Sequence, residues 1–298
     1  MSVAAMKAGV PYVGVEVSAA NTLEECWDLV NTAEQTRRHC MMLENCCYDF
    51  FEMATLNMAQ QGLFGDVMHA EGAYIHDLRS YNYDTTATGY KNMWRLKAQK
   101  EEAGNPYPTH GLGPVAQILN IHRGDRMATL VSMSNAQKGM HLYAAEHDIA
   151  GEDTARIDMG DMNTTLIRTA KGKTIMIQHD VTSPRPYNRI HMVSGTKGFA
   201  QKYPLTGIAL EPNAHEFVSQ QTLDSLLKVY EHPFCKEIGE KARKVGGHGG
   251  MDFIMDYRLI HCLKNGLPLD MDVYDAAEWS CLVELTDYSV RNGSVPVQ

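Results

Sequence analysis

A chain of 298 residues with 44% hydrophobic and 21% charged residues has the size and composition of a globular protein of one or two domains. Its net charge of -9 argues against nucleic acid or an anionic membrane as a partner, because their phosphates would repel it. No apolar run approaches the roughly 18 residues of a membrane span, and Met1 opens no signal segment. We expect a soluble protein, and the sequence leaves a bacterial-type periplasm or cytoplasm equally open.

Residues 1–46 predict one β-α-β unit. A helix ends at Gly9, residues 12–17 form an apolar strand, a capping box at 22–25 begins a helix, and residues 39–45 form a second strand. Parallel strands of such a unit end at the same sheet edge, where open α/β sheets bind ligands. We therefore expect Glu16 and Asn45 to lie together at that edge.

A dinucleotide-binding domain also needs a glycine-rich phosphate loop after its first strand. The sole G-x-G-x-x-A string, at 111–116, follows Pro-Thr-His rather than a strand, and Pro114 lacks an N–H that could bind phosphate. We interpret this string as a coincidental match. Because so little chain precedes Glu16, residues 1–46 are expected to be the C-terminal remnant of a dinucleotide-binding domain that lacks roughly one mononucleotide half.

From residue 47 to 298 the pattern predicts a second unit, a mainly antiparallel α/β sheet domain with closing helices, so the fold class is α/β with a partial Rossmann-type parallel unit. Predicted strands cover 66–76, 126–134, 162–169, 174–180 and 189–194, with a hairpin turn at 170–173. Predicted helices cover 49–61, 109–120, 222–243, 250–264 and 272–291. Residues 80–91 are expected to form a mobile insertion near the site, and 136–159 a loop.

The segment 105–114 (NPYPTHGLGP) concentrates acid/base groups. Prolines on both sides of Tyr107 stiffen the backbone around its phenol. Thr109 is expected to cap the following helix and to place His110 at its N-terminus, where the helix dipole favours a neutral imidazole that can accept a proton. On residues alone, the alternative is a surface turn with a hydrogen-bonded His110.

Cysteines and histidines do not indicate a disulfide or a metal site. The seven cysteines are an odd number without C-x-x-C spacing, so we expect reduced and buried thiols. The thirteen histidines include no H-E-x-x-H pair, so no metal is expected. His179 and Asp180 are adjacent near a predicted strand end and therefore point to opposite faces, which argues against an orienting pair.

Seven longer stretches together resemble one family. They are MMLENCCYD (41–49), FGDVMHAEGAYIHDL (64–78), WRLK (94–97), YPTHGLGPVAQ (107–117), NIHRGDR (120–126), GDMNTTLIRTAKGKTIMIQHDVTSPRPY (160–187) and GGHGGMD (246–252). They resemble glycoside hydrolase family 109, the NAD-dependent α-N-acetylgalactosaminidases of the glucose-fructose oxidoreductase and inositol dehydrogenase superfamily. The resemblance implies NAD as cofactor and a small-molecule or glycan substrate. It leaves open a homo-oligomer paired through the antiparallel sheet.

The resemblance also implies roles for particular residues. Groups expected at the nicotinamide end of the cofactor are Glu16, Val17, Asn45 and Tyr107. Groups expected to bind the sugar are Tyr74, Arg95, Tyr107, Pro108, Thr109, His110 and Tyr187. Tyr107 and His110 are expected to transfer protons or activate water, with Tyr48 as a third catalytic candidate, and which of the first two is the acid stays open. On residues alone, the aromatic groups are as well explained by ordinary packing.

The implied chemistry differs from the usual carboxylate pair of glycosidases. NAD would oxidise the sugar at carbon 3, a base would remove the acidified proton at carbon 2, the glycosidic oxygen would leave, water would add and the hydride would return. One alternative is an NAD-dependent sugar or cyclitol oxidoreductase. Related oxidoreductases usually carry Glu-Lys-Pro where this chain has Glu16, Val17 and Ser18, and the missing lysine weighs against it. A further alternative is a non-catalytic fragment, since the chain has no glycine loop.

Overall fold

The predicted β-α-β unit forms the N-terminal part of the computed structural model, which describes residues 1–149 and 156–298. Its elements are α1 (Ser2–Lys7), β1 (Tyr12–Val15), α2 (Leu23–Thr36) and β2 (His39–Met42). β1 and β2 pair in parallel. Thr22 caps α2, since its Oγ1 accepts a hydrogen bond from the backbone N–H of Glu25 at 3.1 Å. The unit is confirmed, with both strands shorter than predicted.

The chain leaves β2 earlier than predicted because of Glu44. Its carboxylate accepts the backbone N–H of Cys46 at 3.1 Å and opens a short 3-10 helix, Asn45–Tyr48, so the predicted strand to residue 45 is wrong at its end. Glu16 directly follows β1, and the peptide bond between Val17 and Ser18 is cis. Both strand ends therefore lie at one edge of the small sheet, as predicted.

The second part of the chain is built on a seven-stranded sheet. Its strands are β3 (Val67–Ile75), β4 (Met127–Ser134), β5 (Asn163–Thr169), β6 (Thr174–Asp180), β7 (Met192–Gly195), β8 (Gly198–Gln201) and β9 (Gly207–Leu210). Their order is β4-β5-β6-β3-β7-β8-β9, and the described neighbours run antiparallel except for β3 and β6. The mainly antiparallel sheet and the β5-β6 hairpin are confirmed.

Helices cover this sheet and close the chain. They are α3 (Phe50–Gln60), α4 (Arg79–Tyr83), α5 (Trp94–Glu101), α6 (Thr109–Ile118), α7 (Gly139–Glu146), α8 (Gln220–Val229), α9 (Pro233–Val245), α10 (Met251–Asn265), α11 (Val273–Ser280) and α12 (Leu282–Arg291). In the described part of the chain, none of them has the length and apolar composition of a membrane span.

Several predicted elements differ from the structure. The strand predicted at 189–194 begins only at Met192, because Ile190 and His191 have φ of 58° and 49°. The helix at 222–243 is two helices, because Pro233 begins α9 and His232 caps it. The helix at 272–291 is interrupted at Cys281, which keeps helical backbone angles, so the break is slight. The predicted loop at 136–159 contains α7, and its residues 150–155 lie outside the described residues. The mobility of 80–91 and the domain boundary after residue 46 stay predictions.

Helix α6 packs directly on β3 through two glycines. A Cβ added to Gly72 would lie 2.1 Å from the carbonyl oxygen of Gly111, a distance that real side chains do not reach. A Cβ on Gly113 would press on Glu44 and Trp279, each at 2.9 Å. The glycines of the G-x-G-x-x-A string thus serve packing within a buried helix, as the interpretation of a coincidental match implied. This contact fixes the distance between β3 and the loop that precedes α6.

Candidate functional site

The candidate site lies at the carboxyl ends of the central parallel strands. Tyr74 of β3 is opposite His179 of β6, so their side chains share one face of the sheet, and His76 follows two residues later on the same face. The Tyr74 ring centroid lies 4.8 Å from that of His76 and 6.2 Å from that of His179. The two strands therefore present one phenol and two imidazoles together.

Tyr107 and His110 reach this face from the loop and helix above it. Their ring centroids are 4.8 Å apart, and they lie 4.9 Å and 5.3 Å from Tyr74 respectively. The expected capping role of Thr109 is wrong, since Pro108 is the residue before the helix and none of the described side chains caps it. Pro108 and Thr109 are buried, and their contact with a sugar stays a prediction. Three of the predicted site residues are nonetheless brought together.

Glu44 orients His110, and the sequence analysis missed it. Its Oε1 lies 2.6 Å from His110 Nδ1, and the carboxylate is completely buried. Burial acts to raise the pKa of Glu44, but His110, the Thr109 hydroxyl and the Cys46 backbone N–H outweigh it and lower that pKa. An ionised Glu44 can only accept a hydrogen bond, so the proton in this contact belongs to Nδ1, and Nε2 is the ring nitrogen that can accept a further proton. The position of Glu44 just after β2, at the ligand-binding edge of the sheet, was the sequence signal that could have identified it.

Arg95 lies in a cage of aromatic rings. Its guanidinium carbon is between 4.5 and 5.3 Å from four ring centroids, those of Trp94, Tyr107, Tyr90 and Tyr74. The residue is 2% exposed, and its Nε and Nη1 have no hydrogen-bond partner among the residues described. A buried N–H without a partner is costly. This guanidinium is therefore suited to donate to an oxygen of a ligand.

The two histidines at the strand ends are held neutral. Burial, followed by the charge of Arg95, lowers the pKa of His76 to about 4 and that of His179 to about 3. The Nε2 of each ring is buried and lacks a partner within the described part of the chain. The sequence analysis gave neither residue a role in the site, although both are available to hydrogen-bond a polar ligand.

The site phenols are neutral at physiological pH. Burial raises the pKa of Tyr74 to about 12, with Arg95 opposing. It also raises the pKa of Tyr107, with further contributions from Glu44 and Glu16. The Glu16 carboxylate, predicted for the cofactor, is thus close enough to act on Tyr107. A phenol in this state can donate a proton or a hydrogen bond at neutral pH.

Tyr187 stands at the rim of this cluster. The residue is 41% exposed, and its ring centroid lies 5.1 Å from that of His76. Arg189 donates to its hydroxyl at 3.3 Å, and the same guanidinium binds Asp49 at 2.7 Å and Glu52 at 2.6 Å. Arg189 is thus fixed by two carboxylates and holds Tyr187 in turn, a support that the sequence analysis did not identify.

Three predicted residues lie apart from the ring cluster. The Asn45 amide donates to Asp252 at 2.7 Å, and Val17 is buried in the core. The Tyr48 hydroxyl donates to Asp270 at 3.1 Å, and burial raises its pKa well above the ordinary value. The structure pairs Tyr48 with Asp270 and not with Tyr107 or His110. Its catalytic role stays a prediction that this geometry does not favour.

One group of metal-ligand types occurs among the described residues. It comprises Glu44, Cys46 and His110, with ligand atoms within 4.8 Å of one another. Burial and Glu44 raise the pKa of the Cys46 thiol well above its ordinary value, and Arg189 donates to its sulfur at 3.1 Å. A protonated thiol beside a guanidinium is a poor cation ligand. The expectation of no metal stays a prediction.

Buried neutral histidines make stability depend on pH. The pKa of His179 and His191 is lowered from 6.5 to about 3, chiefly by burial. Below pH 6.5 the unfolded chain binds a proton at each ring while the folded chain does not. Stability is therefore complete above pH 6.5 and falls on acidification towards pH 3, by about 1.4 kcal/mol per pH unit for each histidine.

The pH effect is measured by urea unfolding near pH 7.5 and pH 5, with His179→Gln as the comparison. We expect the variant to lose about 2 kcal/mol less on acidification than the natural chain, because one depressed histidine is gone. An equal loss in both proteins would show that His179 titrates alike in the folded and unfolded states.

The sequence matches known proteins over most of its length. Residues 48–298 match the family model for "Glycosyl hydrolase 109, C-terminal domain". A curated Bacteroides fragilis protein named alpha-N-acetylgalactosaminidase is 59% identical over 301 residues, covering 100% of this chain and 71% of that protein.

Solved structures agree in fold. The chain aligns over its full length with 75% of an NAD binding oxidoreductase from Klebsiella pneumoniae, with a TM-score of 0.70 and 12% identity. It also aligns with 74% of an inositol dehydrogenase homolog complexed with NADH and myo-inositol from Azotobacter vinelandii, with a TM-score of 0.60 and 15% identity. At such identities these structures support the fold alone. Because the family model spans most of the chain and a relative matches at 59%, the chain belongs to glycosyl hydrolase family 109.

Proposed function

We propose that this protein removes terminal α-linked N-acetylgalactosamine from glycans or small glycosides by an NAD-dependent reaction. The observation that carries the proposal is the convergence of Tyr107 and a Glu44-oriented His110 beside Arg95, whose Nε and Nη1 have no hydrogen-bond partner among the described residues. The name of the Bacteroides fragilis relative supports the substrate. Such a reaction requires a pair of groups that transfer protons and a hydrogen-bond donor for an oxygen of the ligand.

The residues at the end of β1 fit the nicotinamide end of NAD. Glu16 is exposed just beyond the strand, and its carboxylate can accept hydrogen bonds from ribose hydroxyls. It also acts electrostatically on Tyr107, which links this edge to the ring cluster. NAD, when bound, would supply reversible hydride transfer at carbon 3 of the sugar. Glu16, Val17, Asn45 and Tyr107 are the residues proposed to hold it.

The protein's own groups would then move the protons. His110 Nε2 is free to accept the proton at carbon 2, because Nδ1 is engaged by Glu44. Tyr107, neutral and beside His110, can donate to the leaving glycosidic oxygen. Arg95 would hold a sugar oxygen, with His76 and His179 as further polar contacts. Aromatic rings on several sides limit the access of water to these groups.

The test is turnover of an aryl α-N-acetylgalactosaminide with and without added NAD, after the purified chain has been assayed for bound nicotinamide. We expect cleavage that depends on NAD without net accumulation of NADH, since the hydride returns to the sugar. Steady reduction of added NAD by free sugars or cyclitols would instead indicate an oxidoreductase. Absence of both activities would contradict the proposal for this chain.

A further inference from the structure

A continuous row of aromatic rings leads from the site to the surface. Ring centroids are 6.0 Å apart between Tyr107 and Trp94, 5.7 Å between Trp94 and Tyr90, and 6.4 Å between Tyr90 and Tyr81. We call these four residues the aromatic row. Trp94 is 39% exposed and Tyr81 is 49% exposed, so the row opens to solvent at its outer end.

The backbone at the start of α5 positions Trp94 within this row. Asn92 and Met93 have φ of 56° and 50°, a left-handed turn that makes Trp94 the first residue of the helix. Neighbouring helical residues point about 100° apart, so Arg95 enters the site while Trp94 remains at its rim.

The connection between Tyr81 and Tyr90 is held by Asp84. Its carboxylate accepts the backbone N–H of Thr86 at 2.8 Å and the hydroxyl of Thr88 at 2.6 Å. The carbonyl oxygen of Asp84 lies 1.9 Å from where a Cβ on Gly89 would sit, so the loop closes tightly on itself. The outer rings are thus presented by an internally bonded loop next to the site.

We infer that the aromatic row is a binding site for the sugar residues that carry the terminal sugar. This inference rests on the proposed function. Sugar rings have apolar C–H faces that pack on aromatic rings, and exposed aromatic side chains bury such faces at little entropic cost. The row begins at Tyr107, where the scissile bond would lie, and continues outward from it. Its rings are tilted by 40° to 67° from one another, which suits successive sugars of a bent chain.

Packing alone does not explain the row. Rings that served only the core would be buried, whereas the outer members remain open to solvent. A nucleic acid is disfavoured because the chain carries a net charge of -9. The aromatic row runs on directly from the proposed sugar site, which favours a glycan over a peptide as its ligand.

The first experiment compares a trisaccharide that ends in α-linked N-acetylgalactosamine with the aryl glycoside. We expect Tyr81→Ala and Trp94→Ala to lower the ratio of kcat/KM for trisaccharide over aryl glycoside by about tenfold. Tyr288→Ala, which removes the ring of a residue on α12 that is 54% exposed, is the matched control and should keep the ratio. An unchanged ratio in Tyr81→Ala would overturn the inference.

The second experiment does not need turnover. The disaccharide that remains after removal of the terminal sugar is titrated against the full chain, with binding followed by saturation-transfer NMR. Binding to the natural chain that weakens about tenfold in Tyr81→Ala supports the row, even if neither glycoside is cleaved and the proposed function fails. Equal binding in both proteins, or no binding to the natural chain, would show that the rings only pack.

Discussion

Glu44→Gln is expected to lower kcat on the aryl glycoside by about a thousandfold to ten-thousandfold with little change in KM, as loss of an orienting carboxylate does in catalytic triads. The glutamine side chain fills the same space at the completely buried position. It can present its amide N–H to His110 Nδ1, which would then accept a hydrogen bond and move the proton to Nε2. The nitrogen proposed as the base would be blocked.

Several measurements separate this effect from simple loss of structure. Nitrogen-15 NMR of the histidine ring should report the Nδ1–H tautomer in the natural chain and the Nε2–H tautomer in the variant. Glu44→Asp should recover part of the rate.

Glu71→Gln is the matched control for the carboxylate. Glu71 contacts His69 at 3.2 Å on β3, outside the ring cluster, so this second glutamate-histidine contact should be dispensable. Equal activity loss in both variants, or an unchanged tautomer in Glu44→Gln, would rule out an orienting role for Glu44.

Gly72→Ala should reduce both stability and activity through a single methyl group. The new Cβ would meet the Gly111 carbonyl oxygen at 2.1 Å, and both atoms belong to rigid backbone or lie directly on it. Helix α6 must move away from β3, and overpacking of this kind lowers the free energy of unfolding by about 1–3 kcal/mol. His110 moves with its helix, and a displacement near 1 Å costs about a hundredfold in rate. The free energy of urea unfolding and kcat/KM together measure the two effects.

Gly172→Ala provides the control for Gly72→Ala. Gly172 has a φ of 81° with nothing within 4 Å of a new Cβ, and it lies in the turn before β6, at the far end of that strand from His179. A left-handed alanine costs about 1–2 kcal/mol, so stability should fall by a similar amount. If activity fell equally in both variants, the loss in Gly72→Ala would reflect general destabilisation and not the position of α6.

Sequence patterns were most informative where a local rule applied. The capping box at Thr22 and the β5-β6 hairpin depend on neighbouring residues, and both are present. The long family motifs also indicated that Tyr74, Arg95, Tyr107 and His110 belong to one site, and the structure places these four side chains next to one another. Their individual roles stay predictions.

The missed residues depend on contacts between distant parts of the chain. Glu44 and His110 are 66 residues apart, and no periodicity links the end of β2 to the start of α6. His179 joins Tyr74 only through the parallel pairing of β3 with β6, two strands that are not consecutive. The break before Pro233 could have been predicted from the sequence, because a proline begins a helix better than it continues one. The register between two strands that are not consecutive could not be predicted in this way.

Two nitrogens of Arg95, Nε and Nη1, have no partner within the part of the chain that the structure describes, and this affects selectivity. In the ring cage its Nε and Nη1 are sheltered from solvent, so the free protein keeps a desolvation cost that a correctly placed oxygen offsets on binding. A sugar that lacks that oxygen would fill the same volume and leave the cost in place. Sites of this kind reject the deoxy analogue far more strongly than an apolar pocket rejects a missing methylene. Discrimination would then come mainly from N–H groups of Arg95 that the wrong sugar leaves without a hydrogen bond, and less from additional contacts made by the right sugar.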